Sequence, residues 1–310
     1  MSNQFQQIPV PEYPGKRTTG RESLVKVAAI QMEPHIGDKE HNVLESLRLI
    51  DEAGKKGIKL MVLPELCNTG YMFNSREEAF ALSEVVPEGL SSSAWIERCK
   101  KYDAYIVAGI SERENNKLYD SAIVLGPKGH IGTYRKIHLW NEEKLWFEPG
   151  NLGLPVFDLP FGKIGCRICY DVWFPETTRI LVAQGADIIC DSTNWVVADP
   201  LQTKEKITAV YSAQQNSLFN SCFSICSDRI GLERGQAFIG NSVITNPSGD
   251  LLGGPGAPDE PEIVLAEINL MEARYRHWSE FNNPLTDRRL DIYDLYLGYD
   301  PETGKKKRYL

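Results

Sequence analysis

Basic residues are in short supply: 34 Lys and Arg stand against 42 Asp and Glu over 310 residues, a formal net charge of −8. Neutralising phosphates needs clustered Lys and Arg, so no nucleic-acid partner is expected. The single basic run, Lys305-Lys306-Lys307-Arg308, sits at the C-terminal end and reads as a solvated tail. Long apolar runs are also missing, and nothing approaches the roughly 18 to 20 residues of a membrane span. The polar, Pro-rich residues 1–20 hold no apolar stretch of the kind a secretory signal needs. Histidine numbers five and no Cys/His pairing has metal-ligand spacing, so neither a metal nor another cofactor is expected. The seven cysteines are an odd count in a chain long enough to fold without disulfides. A reduced, cytoplasmic protein is the expectation.

What is present is an average globular composition, 42% hydrophobic and 25% charged. Val25–Met32 reads as a strand, and residues 41–55 as a helix with Val43, Leu47 and Ile50 on one face. Leu60–Leu63 is a short buried strand halted by Pro64, and a helix over 91–101 opens on a Ser cap. Strands at 105–110, 121–125 and 130–134 follow, the last two joined by the turn Gly126-Pro127-Lys128-Gly129. Next come a strand at 163–168, a helix at 174–184 with Pro175 in its first turn, and a strand at 186–191. A helix over 202–216 and strands at 222–227, 243–246 and 263–268 complete the pattern. Helical units and hairpins mixed in this way predict an α/β fold of two packed mixed sheets with helices outside.

No linker or internal repeat divides the chain. The expected organisation is an N-terminal arm over 1–22, one domain over 23–271 and a tail over 272–310. The tail is polar yet carries Tyr275, Trp278, Phe281, Tyr293, Tyr296 and Tyr299. It is expected to pack across the interface of a homodimer or larger homo-oligomer.

Rigid strand ends hold side chains in fixed constellations, and three of them carry reactive groups here. Met61-Val62-Leu63-Pro64 delivers Glu65, which reads either as a surface carboxylate after a proline or as a catalytic acid–base group. Tyr134-Arg135-Lys136-Ile137-His138-Leu139 carries Lys136, either a solvated rim residue or, held by its apolar neighbours, an oxyanion partner. Ile164 to Ile168 ends in Cys169 on a sharp turn toward a helix, the placement of a nucleophile elbow. Cys166, Cys190, Cys222 and Cys226 read as small buried hydrophobes. Cys166 and Cys169 do have the C-x-x-C spacing of a thiol oxidoreductase, without the flanking Trp, Gly and Pro of that chemistry.

A strand-end Glu, then Tyr-Arg-Lys-x-His-Leu, then Cys-Tyr-Asp-x-x-x-Pro-Glu, in that order, resembles the nitrilase superfamily of carbon–nitrogen hydrolases, in its amidase-like branch. The resemblance runs from about Val25 to Asn269. It includes Ala29-Ile30-Gln31, Tyr119-Asp120-Ser121, Phe147-Glu148-Pro149-Gly150, Gly185-Ala186-Asp187-Ile188-Ile189 and Asn246-Pro247-Ser248-Gly249. Position 120 departs from it, being Asp where the family usually has Asn, and the 1–20 arm has no counterpart in short members. The resemblance implies a four-layer α-β-β-α sandwich, a Glu65, Lys136, Cys169 triad, and Glu143 as a second glutamate beside it, with Glu142 competing for that role. It implies further that Lys136 favours the Cys169 thiolate, that Glu65 shuttles protons, and that the Tyr170 N–H faces the oxyanion with Lys136.

The substrate implied is a small amide, a nitrile or an N-carbamoyl compound. Nitrile-cleaving branches usually carry Cys-Trp-Glu, whereas this chain has Cys169-Tyr170-Asp171, the pattern commoner among amide hydrolases. Val172-Trp173 stands where carbamoyl-D-amino-acid hydrolases place paired Arg. Asn194 and Trp195 should line the pocket, with Tyr71, Tyr170 and Trp173 as further substrate contacts and Trp140 and Trp146 as aromatic candidates. A catalytically silent module, an acyl transferase or ammonia-feeding glutaminase, and a thiol oxidoreductase are the competing classes.

Overall fold

The computed structural model describes residues 24–196 and 207–297, and for 294–297 the backbone alone. Two six-stranded mixed sheets form the body. The first has the order β14-β1-β2-β3-β4-β5, from Glu262–Asn269 (β14) through Leu24–Gln31 (β1), Leu60–Val62 (β2), Tyr105–Glu114 (β3) and Lys117–Gly126 (β4) to Gly129–Arg135 (β5). The second has the order β13-β12-β9-β8-β7-β6. Its strands are Leu251–Gly253 (β13), Val243–Thr245 (β12), Phe223–Ser227 (β9), Ile188–Ser192 (β8), Gly162–Ile168 (β7) and Val156–Leu159 (β6). In each sheet the three central strands run parallel and the outer ones antiparallel.

The side-chain period of two decides which face each residue serves. Val25, Val27, Ala29, Leu60 and Val62 meet Ile164, Cys166, Ile168, Ile188 and Cys190 between the sheets. The alternate residues Ala28, Ile30 and Met61 face the other way, onto Val43, Leu47 and Ile50 of α1 (Lys39–Lys55) and Trp95 and Cys99 of α3 (Leu90–Tyr102). Helices α5 (Pro175–Ala183) and α6 (Thr208–Asn220) cover the second sheet. The layers are therefore α-β-β-α, as expected. A one-residue slip of β1 would send its inter-sheet set into the helix layer.

Several local expectations need correction. The helix at 90–102 has Gly89 before it and no side-chain cap; Ser91 instead gives its N–H and hydroxyl to the buried Glu84 carboxylate. Strands β3 and β4 extend well past 110 and start well before 121, meeting in a two-residue turn at Asn115-Asn116. Charged residues at the hairpin tip hid it from an apolar-run reading. The helix expected over 202–216 is seen at 208–220, and residues 202–206 lie outside the described residues. Short helices α2 (Arg76–Leu82), α4 (Glu143–Trp146) and α7 (Met271–Arg274), and the hairpin β10 (Leu232–Glu233) to β11 (Gln236–Ala237), had no sequence signal strong enough to mark them.

The described residues from Leu24 to Tyr275 belong to one compact unit, and those from Arg276 on belong to another, which contains α8 (Leu290–Leu297). No helix among the described residues is long and apolar enough to cross a membrane.

Candidate active site

Glu65 follows β2 by three residues and is fully buried. Its turn lies so close to β3 that a Cβ on Gly109 would come 2.3 Å from the Pro64 carbonyl and 2.4 Å from the Glu65 Cα. Glycine is required there for the strand-end carboxylate to tuck inward. Lys136 follows β5 directly and is also fully buried. Its backbone is clamped on both sides: its N–H donates to Asp120 O at 2.8 Å, and its carbonyl accepts from Gly150 N–H at 2.8 Å. A Cβ on Gly150 would sit 2.0 Å from the Arg135 carbonyl, which accounts for the glycine ending the Phe-Glu-Pro-Gly segment.

The Lys136 ammonium donates to Glu65 Oε1 at 2.5 Å and to Glu143 Oε1 at 2.7 Å, and stands 3.4 Å from Asp120 Oδ2. Burial alone would favour its neutral form, but the charges of Glu143, Glu65 and Asp120 outweigh burial and hold its pKa well above the ordinary lysine value. Glu143, at the start of α4, is buried, whereas Glu142 is exposed, so the competition between them goes to Glu143. Its Oε1 also accepts from the Tyr71 hydroxyl at 2.5 Å and its Oε2 from the Trp140 N–H at 2.8 Å. Tyr71 is fixed in turn by Glu233, which accepts from the N–H groups of Tyr71 and Met72 at 2.7 and 2.8 Å.

Cys169 lies at the end of β7, where the chain enters a short 3-10 turn, Cys169–Trp173, with φ +43° at the cysteine itself. A non-glycine residue in this left-handed region is strained, and such strain clusters at functional positions. Among the seven cysteines it alone is not fully buried. Its thiol pKa is nonetheless well above the ordinary value, first because of burial and then because of the Glu65 carboxylate, with Lys136 acting only in the opposite direction. Lys136 thus favours the thiolate as expected, while burial and the Glu65 charge act more strongly the other way. Two carboxylates flank the one ammonium, which limits how far it can favour the thiolate.

Two further residues tie the motifs together. Asp171 accepts the Tyr134 hydroxyl and the His138 N–H, so the turn after Cys169 is bound to both flanks of Lys136. Asp120, noted in the sequence only as a departure, sits beside Glu65 and Lys136. Carboxylate oxygens of Glu65, Asp120 and Glu143 lie within 4.8 Å of one another, a spacing that could hold a metal ion. The Lys136 ammonium stands among those three groups.

A small cleft reaches Glu143 between Tyr71, Phe73, Trp140, Glu142 and Trp146. Of the expected substrate contacts, Tyr71 lines it directly. Tyr170 is not in the lining and packs edge-on against Trp140, ring centroids 4.8 Å apart. Trp195 belongs to the apolar cluster that packs on Cys169, and the Asn194 backbone acts to lower the pKa of that thiol. Trp173 is 47% exposed and is not brought to the cleft lining.

Residues 26–276 match the carbon–nitrogen hydrolase family profile, and the chain belongs to that family. A nitrilase of Pyrococcus abyssi (strain GE5 / Orsay) is 41% identical over 270 residues, covering 87% of this chain and 99% of its own. An N-carbamoylputrescine amidase of Oryza sativa subsp. japonica is 31% identical over 303 residues, covering 91% and 98%. The crystal structure of a carbon–nitrogen hydrolase from Helicobacter pylori G27 superposes with a TM-score of 0.78 at 26% identity, over 90% of this chain and 99% of that one.

Proposed function

We propose that the protein is an amidase that hydrolyses small primary amides through a thioester on Cys169. The observation that carries this reading is the Lys136 ammonium held at 2.5 and 2.7 Å between two buried carboxylates beside a strained strand-end cysteine. With burial and the Glu65 charge raising the thiol pKa, attack on the amide carbon goes with transfer of the sulfur proton to Glu65. Glu65 then hands that proton to the leaving nitrogen, so that ammonia departs and the carbonyl carbon stays bonded to sulfur. A water, deprotonated by Glu65, attacks the thioester and releases the carboxylic acid, returning the proton to sulfur. Lys136 and the Tyr170 N–H stabilise the oxyanion in both halves. Glu143 balances and orients Lys136.

Tyr71, Asn194 and Trp195 are assigned to substrate binding in this reading. Both polar atoms of the Asn194 side chain and the Trp195 indole nitrogen are buried without a hydrogen-bond partner among the described residues, which supports them as substrate-facing groups. Tyr170 contributes through its backbone. No metal or cofactor enters the chemistry proposed. Assembly into a homodimer or larger homo-oligomer through residues 272–310 belongs to the same reading, supported by the aromatic content of that segment.

The 41% identical relative named a nitrilase supports a second reading, nitrile hydrolysis through a thioimidate on the same cysteine. A paired assay decides between them, comparing kcat/KM for matched nitrile, amide and N-carbamoyl compounds. The amidase reading expects the amide to be best in each series; a nitrile ahead of its amide by about tenfold across several side chains overturns it. In either case a slow substrate should leave its acyl adduct on Cys169 alone.

A further inference from the structure

Asp120 is buried on β4, and neither of its carboxylate oxygens accepts a hydrogen bond. Oε2 of Glu65 is in the same position. Carboxylate oxygens of these two side chains lie within 4.8 Å of each other, acceptors with no donor between them. Fully ionised, Glu65, Asp120 and Glu143 would bring three negative charges to one ammonium, leaving two uncompensated in a buried site. Buried carboxylates this close share protons rather than ionise together.

Donor count decides which of the three is the acid. Glu143 is served by Lys136, the Tyr71 hydroxyl and the Trp140 N–H, all of which favour its anion. Glu65 Oε1 receives the shortest Lys136 bond. Asp120 has only the 3.4 Å approach of Lys136, without hydrogen-bond geometry. We propose that Asp120 is a positioning residue that holds a proton in the resting enzyme and donates it as a hydrogen bond to Glu65 Oε2. The bond fixes the Glu65 carboxylate and keeps it anionic to receive the Cys169 proton, so the inference rests on the reading of Glu65 as the base.

Burial, and next the Glu65 charge, push the Asp120 carboxyl well above the ordinary carboxylate range, in agreement. The charged groups that act on it are Glu65 from the segment after β2, Lys136 after β5 and Glu143 of α4. Tyr119 and Ser121 point to the opposite face of β4, where the Glu112–Arg135 ion pair bonds Ser121 and stacks on Tyr119. That pair does not compensate Asp120.

The test compares D120N, D120A and the unaltered chain in turnover, pH profile and infrared spectrum. In D120N an amide N–H replaces the acid O–H, so kcat/KM near neutral pH should stay within about threefold. D120A has no donor, and its kcat should fall by about tenfold or more with KM little changed. On the alkaline side Asp120 loses its proton, leaving Glu65 with no donor and a second anion beside it, so the unaltered enzyme should lose activity there. That loss should be absent from D120N. A protonated carboxyl C=O band present at neutral pH should disappear in D120N. A folded D120N inactive at neutral pH, or an unchanged infrared band, overturns the proposal. Should D120N fail to fold, D120S keeps a hydroxyl donor in less space and carries both comparisons. The infrared band reads the proton without turnover, so it stands apart from the role of Glu65, which the activity of Glu65→Gln tests by itself.

Discussion

Tyr134 donates its hydroxyl to Asp171 Oδ2 at 2.5 Å, joining the strand that carries Lys136 to the turn that carries Cys169. The same Oδ2 accepts the Ile168 N–H, the residue just before the cysteine, and Oδ1 accepts the His138 N–H. Tyr134 and His138 therefore bracket Lys136 in sequence and both hold Asp171 in space. The two sheets meet at this point, since β5 closes one and β7 lies within the other. The triad is a constellation across a sheet interface, and Asp171 is the anchor that sets its width.

Removing that anchor bond should cost both stability and rate. Tyr134→Phe leaves the aromatic ring in the inter-sheet core but takes the donor from a fully buried carboxylate. Hydrogen bonds to charged groups contribute about 1.5–3 kcal/mol, and urea unfolding should show a loss in that range. The kcat should fall while KM changes little, because Cys169 shifts relative to Lys136 and the cleft wall at Tyr71 is untouched. Full activity in a destabilised Tyr134→Phe would show that Asp171 serves the fold alone.

Much of this site was legible as a pattern before it was a geometry. Glu65, Lys136 and Cys169 each end a strand whose apolar residues announce it, and rigid strands deliver their ends predictably. Glu143 over Glu142 was open, because the two are neighbours at the start of a short helix and differ only by which one turns inward. The net direction of the Cys169 pKa shift was not legible, because a sequence shows which ionisable groups are present and not how many carboxylates crowd one ammonium. Glu233, which holds Tyr71 in place, comes from a hairpin over 160 residues away with only two-residue strands. No periodicity marks a strand that short. Asp120 was visible as an odd residue, and its meaning came only with its orphaned oxygens.

Lys136 neutralises part of a buried acidic cluster, so its removal should destabilise the fold in a pH-dependent way. Lys136→Met should cost about 3–5 kcal/mol near neutral pH, the usual cost of breaking a buried ion pair from one side. Burial raises the carboxyl pKa of Asp120 and Glu143 above their unfolded values. Such groups stabilise the fold while protonated, and that contribution is lost as pH rises through the folded value. Without the lysine those folded values rise further. Urea midpoints of variant and unaltered chain should therefore converge toward about pH 5 and separate toward about pH 8. A deficit independent of pH would show that Lys136 matters through packing alone.

Cys166 separates hydrolase from oxidoreductase chemistry. It lies on β7 facing the inter-sheet core, fully buried, and burial pushes its thiol far above the ordinary range. A redox partner for Cys169 would need a reachable thiolate, which this environment denies. Cys166→Ser should keep turnover while losing about 1–3 kcal/mol from the unpaired hydroxyl placed in an apolar core. Loss of turnover in a folded Cys166→Ser would revive the thiol–disulfide reading.

The protonation of Cys169 itself gives the sharpest check on the electrostatics. After burial, the Glu65 carboxylate is the largest influence raising the thiol pKa, and Lys136 opposes it. Neutralising Glu65 should then lower that pKa, since a nearby anion disfavours the thiolate. Neutralising Lys136 should raise it. Thiolate absorbance, taken as the difference between each protein and the same protein carrying Cys169→Ala, isolates the one sulfur from the six others. Relative to the unaltered enzyme, Glu65→Gln should titrate about one to three pH units lower and Lys136→Met higher. Glu65→Gln would thus hold more thiolate than the active enzyme and yet turn over far more slowly, because no base remains to carry the proton to the leaving nitrogen. If Glu65→Gln instead titrates higher, the charge of Glu65 does not act on Cys169, and the coupled proton transfer proposed for the attack step falls with it.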